Sequence, residues 1–272
     1  MSHEDPALVS AYDDLPLWSA PFGLVLLDTV RLRPDLRVLD LGCGTGFPAL
    51  ELAGRIGPGG RVAGVDPWRS ALARARTKAA QSRVPNARFA AGVAERLPFP
   101  DASFDAVVSN NGLNNVADQA LALAECRRVL RRGGQLVATM NLPETMAVFY
   151  DAFADVLRRR EGEGEAAVAR LRQHVAARRH PADATRASLE AAGFEVATVA
   201  LHAFTLRYAD AGALFAHPFI RLAFLPPWRE VPAAGTADDV LAEVRQVLDR
   251  AARGAGAVCL DVPFACFDAR AV

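Results

Sequence analysis

The chain is expected to fold as a doubly wound α/β domain around a mainly parallel sheet, on three observations. Short apolar runs alternate with helical patterns from residue 37 to 140, and strand, crossover helix, strand is the order that builds parallel pairing. The first apolar run ends directly in a glycine-rich turn that opens a helix. The run Phe104 to Ser109 is nearly continuous in apolar residues, as expected of a strand covered on both faces.

The elements follow in order. Residues 1–36 read as helical or irregular, punctuated by Asp13 and Pro21, and form a lead-in that would serve as a lid. Arg37 to Leu41 is the first strand, and a helix from Phe47 to Ile56 is stopped by Gly57-Pro58-Gly59-Gly60. Arg61 to Val65, Trp68 to Ser82 and Ala87 to Ala91 repeat the unit as strand, helix and strand. Phe104 to Ser109 is the fourth strand and Asp118 to Leu130 an amphipathic helix. Gly133-Gly134 is a turn, and Gln135 to Met140 the fifth strand.

Beyond this the texture changes. A long helix is expected over Glu144 to Arg160, a charged linker over Glu161 to Glu165, a helix over Thr185 to Ala192 and a strand over Phe194 to Phe204. Tyr208 to Pro232 is irregular and aromatic. A helix from Ala237 to Ala252 and a last strand from Ala257 to Phe267 complete the chain. The stretch between the last two strands is too long for a hairpin loop and reads as a substrate cap.

Composition narrows the partners. The chain has 272 residues, 51% of them hydrophobic, enough for one large domain with an elaborate cap. Basic and acidic residues number 31 each. No net charge is left to draw the protein to nucleic acid or an anionic membrane, and a small-molecule partner is expected. The four cysteines, Cys43, Cys126, Cys259 and Cys266, form no CxxC pair, so neither a zinc site nor a disulfide framework is suggested. The start carries no basic leader, and charges break every apolar run before it could span a bilayer. A cytoplasmic protein without a membrane span is the expectation, and a homodimer remains open.

The chemistry concentrates in Val38-Leu39-Asp40-Leu41-Gly42-Cys43-Gly44-Thr45-Gly46. Glycines directly after a buried strand let the backbone bend sharply and approach a ligand with no side chain between, while the following helix aims amides at it. Dinucleotide-binding oxidoreductases place a GxGxxG turn at the same point. Here the spacing is DxGxGxG, with Phe47 where the third glycine of that motif would stand.

This pattern resembles the first motif of class I S-adenosylmethionine-dependent methyltransferases, and the likeness continues through Met140, especially to the ubiquinone- and menaquinone-type small-molecule enzymes. The resemblance implies a Rossmann-like methyltransferase fold of seven strands with an antiparallel last strand and helical cap insertions. It also implies a single domain over 1–272, with residues 37–140 binding the cofactor and residues 141–193 and 207–256 inserted as cap. Its cofactor would be S-adenosylmethionine, with S-adenosylhomocysteine as product. Asp40, Gly42, Cys43, Gly44 and Gly46 would line its methionine end. Asp66, closing the second strand before Pro67 and Trp68, would bind the ribose hydroxyls, two acceptor oxygens suiting a diol. Trp68 either covers a face of the adenine or packs the helix start.

The stretch Ala91 to Asp105 matches the family except at Val93, where members carry an aspartate that accepts from the adenine amino group. Adenine contact would fall to the backbone around Ala94 or to Glu95. Asn110, at the carboxyl end of the fourth strand, would hold cofactor; Asn111 and Asn114, with Tyr12 and Trp18 from the lead-in, are candidates for the acceptor.

Methyl transfer from a sulfonium needs alignment and exclusion of water more than an acid or base, so no catalytic residue is assigned. His3, His174, His180, His202 and His217 are the candidates for deprotonating a hydroxyl acceptor. Phe22, Phe215, Phe219, Phe224 and Trp228 would help to make an apolar acceptor pocket. Two rival functions stand beside methyl transfer. One is a nicotinamide-dependent oxidoreductase, against Phe47 and the later motifs; the other is a non-catalytic S-adenosylmethionine-binding protein.

Overall fold

A computed structural model describes residues 6–14 and 17–272; His3 lies outside the described residues. The lead-in forms two helices, α1 (Pro6–Asp14) and α2 (Ser19–Thr29). The alternating core follows as β1 (Arg37–Leu41), α3 (Ala49–Ile56), β2 (Arg61–Asp66), α4 (Arg69–Gln81), β3 (Ala87–Ala91), β4 (Phe104–Asn110), α5 (Gln119–Val129) and β5 (Leu130–Asn141).

The remainder comprises α6 (Ala147–Arg159), α7 (Gly164–Ala176), α8 (Ala182–Ala191), β6 (Phe194–Tyr208), α9 (Ala211–Ala216), α10 (Leu225–Trp228), α11 (Ala237–Ala255) and β7 (Val258–Ala271). A π-helical turn at Ile220–Phe224 precedes α10.

The seven strands run β3-β2-β1-β4-β5-β7-β6. β1 pairs in parallel with β2 and β4, β2 with β3, and β4 with β5, while β7 is antiparallel to β5. The expected mainly parallel sheet with an antiparallel last strand is therefore present. Between β1 and β4 the strand order reverses, and such a switch point opens a crevice at the carboxyl ends of the strands.

The chain divides into two compact units. One holds the described residues to Asn141 with Pro181–His202 and Phe264–Val272. Its core is built from Leu26 and Leu27 of α2 with Val30 just after it, Leu52 and Ala53 of α3, and the inward residues Val38, Val62, Val108 and Val137 of the strands. The other unit holds Leu142–His180 and Ala203–Pro263. Its core gathers Phe149, Phe153 and Val156 from α6 with Val240, Val244 and Leu248 from α11, spaced so that one stripe of each helix is buried.

Three expectations needed correction. Glu161 to Glu165 is a tight turn into α7 and no linker: Gly162 and Gly164 have φ of 83° and 64°, and buried Glu163 accepts amide and hydroxyl bonds from Ala233 and Thr236. Gly133-Gly134 lies inside a longer β5 whose pairing with β4 shifts register near Phe104 and Ala106. The aromatic stretch after Tyr208 is helical in three short pieces; packing of its rings overrides propensity there.

Candidate functional site

The glycine bend is tied to the strand beside it. The amides of Gly42 and Cys43 both donate to the carbonyl of Val65, at 2.8 and 3.2 Å. Asp66 then closes the loop from the end of β2: one carboxylate oxygen accepts the Gly44 amide at 2.9 Å and the other the Trp68 amide at 2.8 Å. A single carboxylate thus fixes both the bend after β1 and the start of α4. Gly42, Cys43, Gly44, Asp66 and Trp68 are brought together here as the sequence anticipated, and Pro67 sits exposed between the last two.

Glycine is needed at two points, one for its backbone conformation and one for a close approach. Gly44 has φ of 49°, and a Cβ built there would have nothing within 4 Å, so open space lies over its backbone. At Gly112, after β4, a Cβ would come within 2.6 Å of the Leu41 carbonyl and 2.8 Å of Ser109 Oγ. The β1 and β4 loops pass each other backbone to backbone at the switch point. Ser109, which the sequence reading did not single out, joins them: its hydroxyl donates to the Leu41 carbonyl at 3.0 Å and accepts the Leu113 amide at 3.2 Å. A serine near the end of a buried strand and a glycine just past it were the signal.

Asp40 is wholly buried. Its Oδ2 accepts the Ala49 amide at 3.0 Å, capping α3, whose first residue is Ala49 and not Phe47. Its Oδ1 is buried with no hydrogen-bond partner. Burial first, with the negative charge of Asp66 adding, raises its pKa to about 7. The same causes, burial and then the charges of Asp40 and Asp66, keep the buried Cys43 thiol protonated, and Gly46 completes the bend by donating to the Cys43 carbonyl at 2.8 Å.

The loop after β3 is braced rather than open. Arg128 binds Glu125, Asp101 and the carbonyls of Leu97 and Phe99. Glu95, an alternative contact for adenine, accepts the amides of Ala117 and Asp118 through Oε1 at 2.7 and 3.1 Å, joining this loop to the start of α5. Val93 is 46% exposed and Ala94 buried, so what remains there for a ring is an apolar side chain and backbone.

The asparagines are held within the fold. Asn110 donates to the Ser19 carbonyl of α2 and accepts from the Thr139 hydroxyl, each at 3.0 Å. Asn111 has φ of 58° and accepts the Asn141 amide, while Asn114 donates to the Asn141 side chain. These side chains are spent within the fold, tying the end of β4 to α2 and β5.

The lead-in is anchored at both ends. Tyr12 stands edge-on to Trp68 with ring centroids 5.4 Å apart, and Asp13 pairs with Arg74 and Lys78 of α4. Trp18 is buried and packs on Phe22, which packs on Phe264. Of the two acceptor candidates in the lead-in, Tyr12 is half-buried at the Trp68 edge, and Trp18 is part of a core.

In the helical unit Trp228 is fully buried and stacked on Phe149 at 3.9 Å, and its indole donates to the Tyr150 hydroxyl. Phe215 and Phe224 surround it. This is a packed aromatic core, which corrects the reading of Trp228 as a pocket lining. His174 and His217 also lie in this unit, where burial lowers the pKa of each and keeps it neutral at pH 7. His180 belongs to the same unit, and His202 stacks on Phe264 in the sheet unit.

A groove of about 550 Å³ lies away from the switch point, lined by Arg76, Arg83, Arg88 and Phe89 at the β3 edge. Its surface is alanine, proline and exposed arginine, with no converging acceptors. The crevice beside Gly44 carries the buried carboxylate, open backbone and aromatic edge that the groove lacks.

Residues 39–138 match the family model described as a methyltransferase domain. A demethylmenaquinone methyltransferase of Listeria monocytogenes is 38% identical over 132 residues, covering 47% of this chain and 56% of that protein. An uncharacterised 37.1 kDa protein in a transposon of Streptomyces fradiae is 40% identical over 134 residues, 48% of this chain and 38% of that one. The match thus spans about half or less of the curated relatives' length. Among solved structures, a geranyl diphosphate C-methyltransferase from Streptomyces coelicolor shares the fold at a TM-score of 0.56, with 17% identity over 96% of this chain and 82% of that one. The strand order and the tied glycine bend with its two acidic residues coincide with the segment 39–138 that matches a methyltransferase domain.

Proposed function

We propose that the protein transfers a methyl group from S-adenosylmethionine to a small, apolar or aromatic acceptor by direct displacement. The observation that carries this reading is the crevice at the β1–β4 switch point, where Gly44 leaves open space and Asp40 presents a buried, unpartnered Oδ1. That oxygen suits a cationic ligand end, since a buried carboxylate oxygen left without a partner is costly. Asp66, held in one orientation by two amides, suits a vicinal diol, and the Tyr12–Trp68 edge suits a flat ring.

When bound, the cofactor supplies a methyl group activated by its sulfonium. This chain's residues would do the rest. The bend from Asp40 to Gly46 orients the cationic end, and Asp66 fixes the sugar. Asn110, braced by α2 and Thr139, holds the backbone next to the site of transfer. α1, tied to α4 through Asp13, helps to exclude water. The acceptor–methyl bond forms as the carbon–sulfur bond breaks, so the leaving group departs as a neutral thioether without an acid, and a protonated acceptor releases its proton to solvent.

Net neutrality favours a small-molecule partner over nucleic acid, and the quinone and terpenoid substrates named for similar proteins favour an apolar one. No helix among the described residues is long and apolar enough to cross a membrane. Free cysteines throughout fit a reducing, cytoplasmic setting.

The test is calorimetry with S-adenosylhomocysteine, followed by labelled methyl transfer to a panel of quinones, phenols and prenylated metabolites. Binding and transfer to a panel member are expected. Binding of NADH in place of the nucleoside would transfer the site to the oxidoreductase reading. Nucleoside binding with no transfer to any acceptor would leave a silent binding protein.

A further inference from the structure

β6 is the outermost strand of the sheet. Its inner edge is occupied by β7: Thr205 donates to Asp261 at 2.6 Å, and the His202 ring stacks on Phe264 at 5.3 Å, both in one antiparallel register. Among the described residues its outer edge has no neighbouring strand. A strand of 15 residues with an open edge is a template for pairing with another chain. β6 contains no proline and no lysine, two of the usual protections of an edge.

The side chains narrow the occupant. Successive residues alternate between faces, and the face carrying Glu195, Val199, Leu201, Ala203 and Arg207 is exposed except at half-buried Val199. Leu201, at its centre, is 67% exposed, the highest among the exposed large hydrophobic residues. Glu195 and Arg207 lie at equal distances either side of Leu201. They are the only charged residues of β6, and neither has a partner within its own chain among the described residues.

That symmetry fits a second copy of the same strand. We propose that β6 is a homodimer interface in which two copies pair antiparallel about a twofold axis through Leu201. In this register Leu201 faces its own equivalent, Val199 faces Ala203, and Glu195 faces Arg207 of the second copy, twice by symmetry. A slip in either direction separates both charge pairs, so the register selects itself. Main-chain hydrogen bonds between the two edges supply the affinity, and the charge pairs supply the specificity. The proposal is independent of the methyl-transfer reading, because no residue of the glycine bend takes part.

Sedimentation velocity on the full chain, from low micromolar to near-millimolar concentration, tests it. Wild type is expected to dimerise, and Leu201→Lys, which sets two ammonium groups face to face, to be monomeric. Glu195→Arg and Arg207→Glu each create two like-charge pairs and are expected to weaken the dimer by about tenfold. The double variant Glu195→Arg/Arg207→Glu is expected to recover it. Melting temperature and S-adenosylhomocysteine binding, measured on each variant, separate loss of the dimer from loss of the fold or of the site. A wild type that stays monomeric throughout, a Leu201→Lys protein that still dimerises, or a double variant that fails to recover while folded overturns the proposal.

Discussion

The carboxylate of Asp66 and the amide of Gly44 meet at 2.9 Å, so the side chain that ends β2 also sets the shape of the bend that ends β1. Removing it acts on both a ligand contact and the loop that presents the ligand. Asp66→Ala is expected to weaken S-adenosylhomocysteine binding by about 1.5–3 kcal/mol, the range for hydrogen bonds to a charged group. Calorimetry reads this directly, and unchanged affinity would mean that the sugar lies elsewhere.

Two glycines at the same crossing separate binding from stability. Gly44→Ala adds a methyl group to open space in a left-handed backbone, at a folding cost of about 1–2 kcal/mol, while obstructing the crevice; cofactor affinity should fall more than stability. Gly112→Ala drives a Cβ against the Leu41 carbonyl, and about 1–3 kcal/mol of stability should be lost. Chemical denaturation and calorimetry on the pair are expected to give opposite rankings.

Asp40 should leave a pH signature. Its folded pKa, about 7, stands above the unfolded value near 3.8. The folded state therefore holds a proton that the unfolded state has released across this window, and stability falls as pH rises through it, by at most about 1.4 kcal/mol per pH unit. Asp40→Asn, still able to accept from Ala49, should flatten this dependence in denaturation curves taken between pH 5 and pH 8. A slope equal to that of wild type would show that Asp40 is ionised throughout.

Trp228 is expected to matter for folding rather than for acceptor choice. Truncation to alanine removes the ring stacked on Phe149 and the donor to Tyr150, and should cost about 3–5 kcal/mol. An urea titration reads the loss; a small change, with acceptor KM raised instead, would return Trp228 to the pocket.

What the residues alone determined is the part governed by short-range pattern. Asp40-to-Gly46 and Asp66 stood out because a strand, a glycine bend and a helix each leave a local signature. Strand alternation from Arg37 to Asn141 followed from the same periodicities. α7 was hidden because glycines and glutamates at 161–165 look like a linker, until the buried Glu163 carboxylate finds partners 70 residues away at Ala233.

Only the tertiary structure decided how the polar side chains are spent. Glu95 and Asn110 looked available from sequence, yet the amides of Ala117 and Asp118 claim one oxygen of Glu95, and the Ser19 carbonyl and the Thr139 hydroxyl claim the Asn110 amide. Asp40 shows the converse: a strand-end aspartate in sequence, it becomes in the fold a buried group with one oxygen still unpartnered. Hydrogen-bond partners lie far apart along the chain and are chosen by three-dimensional proximity, to which no local periodicity responds.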